Sequence, residues 1–370
     1  MHRRETERLL IAIRQAQAAA ERVALATVVR VKGSAYRREG TRMLVRRNGT
    51  YECALSGGCL EPAVADAALR VIETGEPRIV NYDLAEDSLW GLGMGCSGAV
   101  DVRIERLDDD AMTREWIAVL ERGDAAVLAT PLSGTSGRML VRGTGEIVGG
   151  LNDPSIEREA IAHATARLRA PFPQSGPEPI GGSEIFFEIS APPPDLVIFG
   201  AGHDVAPLAQ QAVMLDFAAT IVDARAAYLT ADRFPGAALV SADFSRLADT
   251  VRLRAASFVL VMNHHLERDQ QSLHFALESD AAYIGVLGPR SRYEKLLAGL
   301  AAGGHLPPAS SLSRVRSPVG LALGAETPEE VALSILGEIL AIRRGFDGGF
   351  LTGSVRSLHR PDATRALTSS

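Results

Sequence analysis

Cysteine is scarce. Three thiols in 370 residues are too few for a disulfide framework, and no C-x-x-C pair offers zinc spacing or an iron–sulfur set. No apolar run reaches the roughly 18 residues of a membrane span, so no spanning helix is expected. A secretory signal is also missing. Arg3, Arg4, Glu5, Glu7, Arg8 and Arg14 are spread through the first twenty residues, which read as an amphipathic helix of a cytoplasmic protein. Residues 1–50 carry twelve Arg and Lys against four Glu, yet the whole chain has a formal charge of −6 and no nucleic-acid motif. A small anionic ligand, or a solvated arginine-rich face, fits that pattern better than a nucleic-acid partner. Lysine is almost absent, at Lys32 and Lys295 only, and carries no functional message. No internal repeat stands out.

What is present is an ordinary globular composition, 46% hydrophobic and 23% charged, in a chain long enough for two or three cored domains. One stretch dominates: Ser56-Gly57-Gly58-Cys59-Leu60-Glu61-Pro62. An alternating apolar run over 51–55 enters it, and an Ala-rich helical pattern, Glu61–Thr74, leaves it. A thiol is thereby set in a glycine loop at a helix start, where N–H groups and the helix dipole favour an anion or a thiolate. A packing thiol at a tight turn is the plainer alternative. Cys96 occupies a second, barer loop over 91–98, with Gly95 before it and an alternating strand after it. Cys53 shares a face with Tyr51 and Leu55 and reads as core.

Further strands are predicted at 24–31, 42–46, 78–82, 125–130 and 138–142, with helices over 111–122 and 154–168. These make an α+β domain that ends in the Pro/Gly-rich stretch 170–182. Beyond it, a strand over 195–199 runs into Gly200-Ala201-Gly202, a helical pattern follows, and a second strand ends at Asp223, 23 positions after Gly200. That is a βαβ unit of dinucleotide-binding type, in which glycines admit a pyrophosphate and the acid accepts a ribose hydroxyl. The fingerprint is inexact. Val205 holds the third small position, and Asp204 puts an anion near the pyrophosphate's place. Strands at 237–240, 257–262 and 282–287 continue the alternation. Asn263-His264-His265 and Gly288-Pro289-Arg290-Ser291-Arg292 lie at their carboxyl ends, where open parallel sheets bind ligands. The two histidines suit acid/base work, metal ligation or an ordinary helix-entry turn. Thr327-Pro328-Glu329-Glu330 is a capping box opening a last helix that Gly345 ends. The expected division is 1–182, 183–350 and a loosely ordered tail, 351–370.

Together these motifs resemble the xanthine dehydrogenase accessory protein family (XdhC/CoxI). The matching pieces are Gly33-Ser34-Ala35-Tyr36-Arg37 with Gly40, SGGCLE at 56–61, the Gly95-Cys96 loop, VIFGAGH at 197–203, Asp223-Ala224-Arg225, YIGVLG at 283–288 and SPVGLALGAETPEE at 317–330. They span residue 27 to about 342. The resemblance implies an N-terminal α+β XdhC/CoxI-type domain followed by a Rossmann-like doubly wound parallel sheet. It also implies an accessory factor rather than a catalyst. Such a factor binds the molybdenum cofactor (molybdopterin), protects it while its sulfido ligand is installed, and passes it to a molybdenum hydroxylase of the xanthine dehydrogenase type. Cys59 and Cys96 become the expected metal contacts, among Ser56, Gly57, Gly58, Glu61 and Gly95. Arg37, Arg38 and Arg42 become candidates for the pterin's phosphate. Gly200, Gly202, His203 and Asp223 form a second site that admits NAD(P). Implied partners are the apo-enzyme and a cysteine desulfurase, and a homodimer is expected to help close the exposed glycine loops. One departure is Gly95-Cys96-Ser97-Gly98, where a further glycine is common in relatives. The competing expectation is an NAD(P)-dependent oxidoreductase with His264 or His265 as its acid/base group.

Overall fold

The computed structural model describes residues 3–33, 35–83, 98–305 and 307–352. They form two units that divide between Pro192 and Pro193. The first unit begins with α1 (Arg3–Ala18), β1 (Val23–Gly33), β2 (Arg42–Arg46), β3 (Tyr51–Glu52), α2 (Glu61–Thr74), β4 (Arg78–Asp83) and β5 (Gly98–Arg106). It continues with α3 (Ala111–Arg122), β6 (Ala126–Ser133), β7 (Gly137–Arg142), β8 (Ile147–Leu151), α4 (Pro154–Arg169), β9 (Gly176–Ile180) and β10 (Ser183–Ser190).

Alternation along β1 explains the layering. Ala24, Ala26 and Val28 point into a core with Val64, Ala68, Val71 and Ile72 of α2, while Val23 and Leu25 point the other way. Each fully buried Val or Ile contributes about 1.5–3 kcal/mol. Val127, Ala129 and Phe187 of the second sheet likewise pack on Ala160 and Ala164 of α4. A third core joins the remaining faces of both sheets, with Leu9 and Ile13 of α1 beside Trp116 and Ile117 of α3.

The two halves of this unit are copies of one another, which corrects the expectation of no internal repeat. Their sheets have the orders β3-β2-β1-β5-β4 and β8-β7-β6-β10-β9, the same order shifted by five strands. Leu25-Ala26-Thr27 of β1 matches Leu128-Ala129-Thr130 of β6, and the string Arg-Met-Leu-Val-Arg recurs at 42–46 and 138–142. In both copies Leu pairs with Leu and Ala with Met across the first hairpin: Leu25 with Leu44 and Ala26 with Met43, then Leu128 with Leu140 and Ala129 with Met139. The tight turns repeat as well. Arg46 N–H bonds Thr50 and Gly49 N–H bonds Arg46, as Arg142 bonds Glu146 and Gly145 bonds Arg142.

Charges cross between the copies reciprocally. Arg42 of the first bonds Glu188 of the second, and Arg138 of the second lies 3.9 Å from Glu105 of the first. Arg42 and Arg138 are equivalent, and so are Glu105 and Glu188, which stand opposite Leu25 and Leu128. Exchange of equivalent residues is the mark of a two-fold axis, here inside one chain.

The Pro/Gly-rich stretch puts the end of this domain at 182. The structure puts it later, because β10 pairs with both β6 and β9. Strand β9 is concealed in the sequence by Pro177 and Pro179; it is tolerated as an edge strand, where a missing N–H costs no ladder bond. Strand β8 is concealed by Gly149-Gly150. Strand β3 is shorter than expected because Cys53 turns into the left-handed region, at φ 65°.

The second unit is a six-stranded parallel sheet, as the alternating pattern predicts. Its strands are β11 (Asp195–Phe199), β12 (Ala218–Asp223), β13 (Ala238–Ser241), β14 (Phe258–Val261), β15 (Tyr283–Val286) and β16 (Val315–Arg316), in the order β13-β12-β11-β14-β15-β16. The direction of winding reverses between β11 and β14, the doubly wound switch point. The helices are α5 (Val205–Met214), α6 (Leu266–Glu278), α7 (Arg290–Ala302), α8 (Ala309–Leu312) and α9 (Pro328–Arg344). Helix α9 opens on the predicted capping box at Thr327 and Glu330 and closes on left-handed Gly345.

Candidate functional site

Strand direction gathers three connections at one end of the first sheet. Strand β3 runs parallel to β1, because both are antiparallel to β2; β5 starts where β1 ends, with Gly98 opposite Gly33. The β1–β2 connection, the β3–α2 loop and the departure from β4 at Asp83, opposite Ala99, therefore share that end. The β3–α2 loop is the Ser56–Glu61 motif. Gly95 and Cys96, predicted to join it, lie outside the described residues.

Within the motif, the polar atoms are largely spent on the loop itself. Glu61 is fully buried; its carboxylate accepts from Leu55 N–H (2.9 Å), Ser56 N–H (2.7 Å) and the Ser56 hydroxyl (2.5 Å). Burial alone would raise the Glu61 carboxyl, but the Ser56 hydroxyl and these backbone donors hold it below the usual carboxylate range. Ser56 Oγ in turn accepts from the N–H groups of Gly58 (3.2 Å), Cys59 (3.1 Å) and Leu60 (3.1 Å), which ties the loop into a tight turn ahead of α2. The Cys59 thiol, half-buried, donates to the same oxygen at 3.1 Å. The loop amides just ahead of α2 are thus occupied by Ser56, while Leu60, at the helix N-cap, lends α2 no side-chain cap. What the loop leaves at the surface is bare glycine backbone and one edge of a half-buried thiol that also packs against the core. Gly58 needs its left-handed φ of 112°, whereas Gly57 does not, and a Cβ on Gly57 would meet nothing within 4 Å.

The arginines expected around the loop are distributed differently. Arg37 donates to Ala54 O (3.4 Å), just before the motif, and pairs with Glu5 of α1. Arg38 pairs with Glu39 (3.3 Å). Arg42 is buried between the copies, paired with Glu188 and lying 4.8 Å over the Trp116 ring, so it serves the internal two-fold and not a phosphate. Cys53 is core, as expected; burial pushes its thiol up, and it donates to Glu5 O at 3.5 Å.

In the second unit, Gly200 is demanded by packing, because a Cβ there would lie 2.4 Å from Met262 O where β11 and β14 converge. Asp223 is buried and saturated. It accepts from Ala201 N–H (2.8 Å), from Arg225 N–H (2.8 Å) and from two nitrogens of the Arg225 guanidinium (2.9 and 2.7 Å). Burial would raise its carboxyl, yet Arg225 holds it low. Arg233 clips the carbonyls of Ala201 (2.9 Å) and Gly202 (3.2 Å). Asp204 Oδ1 stands 2.4 Å from where a Gly202 Cβ would be, and its other oxygen bonds His264 Nε2 at 2.9 Å. His203 and His265 are exposed.

Asp204 follows β11 and His264 follows β14, so this pair straddles the switch point, with His264 at a left-handed φ of 56°. The hydrogen bond to Asp204 raises the His264 imidazole above its ordinary 6.5. A raised folded-state value stabilises the fold below pH 6.5, and that contribution is lost as pH rises through the folded value. An NMR titration is expected to place the His264 midpoint above 6.5, and Asp204→Asn to bring it down. Equal midpoints in the two proteins would show that the pair does not form in solution.

Comparison with known proteins agrees with both units. A family model described as the XdhC and CoxI family matches residues 16–83, and one described as the XdhC Rossmann domain matches residues 196–339. A Bacillus subtilis protein whose name makes it a probable component of xanthine dehydrogenase is 32% identical over 329 residues, spanning 88% of this chain and 94% of that one. The Escherichia coli molybdenum cofactor insertion chaperone PaoD is 26% identical over 320 residues, 86% of this chain and 83% of PaoD. A crystal structure described as a xanthine dehydrogenase from Bacillus halodurans superposes with a TM-score of 0.71 at 30% identity, covering 94% of this chain and 98% of that one.

Proposed function

The chain belongs to the XdhC and CoxI family, and from that premise we propose that it is an accessory factor whose cargo is the molybdenum cofactor. The cargo is held at the Cys59 end of the first unit and delivered to a molybdenum hydroxylase. The observation that carries the site is the Ser56–Glu61 clamp. It spends a buried carboxylate and a hydroxyl on fixing one partly exposed thiol beside bare glycine backbone. A soft thiol is the donor that suits a molybdenum centre or a sulfur-transfer partner.

When bound, the cofactor supplies the molybdenum and its exchangeable terminal ligand. The chain's own residues do simpler work. Cys59 presents sulfur, Ser56 and Glu61 hold its loop, and Gly57 and Gly58 leave room for the cargo to lie close. Sulfido installation on the protected cargo, with a cysteine desulfurase as sulfur source, and Cys96 as a second contact are parts of the same proposal. A dinucleotide is not. Asp204 adds an anion beside Gly202, paired with His264, and both oxygens of Asp223 are taken by Ala201 and Arg225.

The test is retention. Purified protein is mixed with isolated molybdenum cofactor and desalted, and molybdenum is measured for wild type, Cys59→Ala and Cys96→Ala. The expected result is retention by wild type and a loss of about tenfold or more in Cys59→Ala, the loss that about 1.4 kcal/mol of binding represents. A wild type that retains none would overturn the role. Full retention by both variants would overturn the site.

A further inference from the structure

The internal duplication lets the Cys59 loop be compared with its counterpart in the second copy, which lacks the thiol and both glycines. Leu55 and Glu61 recur as Leu151 and Glu157, 96 residues on, and Leu151 N–H bonds Glu157 at 2.7 Å as Leu55 bonds Glu61. Buried Leu60 recurs as buried Ile156. The acceptor recurs too, shifted by one residue: Asp153, the N-cap of α4, accepts from Ser155 (2.8 Å) and Ile156 (3.3 Å), the counterparts of Cys59 and Leu60. These shared features are what the fold needs.

Between the shared leucine and glutamate the loops differ: Ser56 is Asn152 in the second copy. Gly57-Gly58-Cys59 is Asp153-Pro154-Ser155 in the second copy. The β1–β2 connection is seven residues longer than its counterpart, with 16 residues between paired Ala26 and Met43 against nine between paired Ala129 and Met139. Both differences fall at the same sheet end. Within the longer connection, Ala35 is buried in the core that holds Leu55 and Leu60, and Arg37 bonds Ala54 O. Tyr36, between these two anchors, is left 73% exposed.

We propose that the cargo-facing surface is built from the longer β1–β2 connection and the Gly57-Gly58-Cys59 stretch, with Tyr36 as the platform on which the flat pterin ring of the cargo stacks and Gly57-Gly58 as the bare edge beside it. This rests on the molybdenum-cofactor reading above. An aromatic ring on a doubly anchored backbone stacks on a planar heterocycle at little entropic cost. Gly57 is not required by the fold, since its φ is ordinary and a Cβ there meets nothing within 4 Å, so its glycine leaves the outer surface bare.

The experiment uses the full chain and isolated molybdenum cofactor, reading retained molybdenum, the fluorescence of the oxidised pterin, and the melting temperature. Tyr36→Ala and Gly57→Asp are each expected to lower retention about tenfold with the melting temperature unmoved. Tyr36→Phe should retain as wild type does. Asp153→Gly in the second copy should leave retention unchanged. If wild type retains nothing, the functional reading falls and this assignment with it. If wild type retains cargo while Tyr36→Ala and Gly57→Asp do so equally well, the assignment alone is overturned. Loss in Tyr36→Phe as deep as in Tyr36→Ala overturns the stacking role.

Discussion

Replacing Arg42 by Met is expected to destabilise the first unit by about 3–5 kcal/mol, a large share of the stability of an ordinary domain. Arg42 is only 3% exposed, and its guanidinium is the cationic partner of Glu188, which also accepts from Trp116 Nε1 at 2.9 Å. Removing it leaves a carboxylate buried between two sheets without a counter-charge. The double variant Arg42→Met, Glu188→Leu should recover most of the loss, because an apolar pair of similar volume needs no desolvation of charge. The reciprocal change, Arg138→Met, should cost clearly less. Arg138 stands 3.9 Å from Glu105, and its buried Nε has no partner. Urea unfolding midpoints measure all three; an Arg42→Met protein as stable as wild type would show that the crossing pair contributes nothing.

Glu61→Ala is expected to cost about 3 kcal/mol and to abolish cargo retention together. The N–H groups of Leu55 and Ser56 and the Ser56 hydroxyl all lose their acceptor in a buried setting, at about 1–3 kcal/mol for each group left unsatisfied. Freed from Glu61, the Ser56 oxygen no longer fixes the amides of Gly58, Cys59 and Leu60. Glu157→Ala in the second copy removes one backbone bond from a half-buried carboxylate, so it should lose about 1 kcal/mol and no retention. Acidification acts on the same clamp. The Glu61 carboxyl is held below its ordinary value, so its contribution is complete above that value and is lost as pH falls through the lowered one. Calorimetry and molybdenum retention read the two effects; retention by a folded Glu61→Ala protein would separate the clamp from the site.

Much of this is legible in local chemistry. Helix α2 has the bounds its Ala-rich periodicity gives, α9 opens and closes on its caps, and the parallel sheet of the second unit follows from its alternation of strands and helices. The SGGCLE motif stands out because a glycine loop before a helix is a strong local signal. Tertiary partners are less visible. Nothing near Arg42 in sequence announces Glu188, 146 residues away, and nothing near Asp223 shows that Arg225 and Ala201 fill both its oxygens. The duplication hides behind unequal connections. Equivalent residues are 103 apart in the first strands and 96 apart afterwards, so no single period recurs, although the repeated Arg-Met-Leu-Val-Arg is a usable signal.

The short connection between β5 and α3 has a consequence for dilution. Two copies on separate chains would meet only as often as their concentration allowed, and a scarce protein would spend time apart. Joined by a few residues, they face each other at an effective concentration on the order of millimolar whatever the cell holds. A scarce chain can therefore keep the two copies of this unit assembled at any dilution.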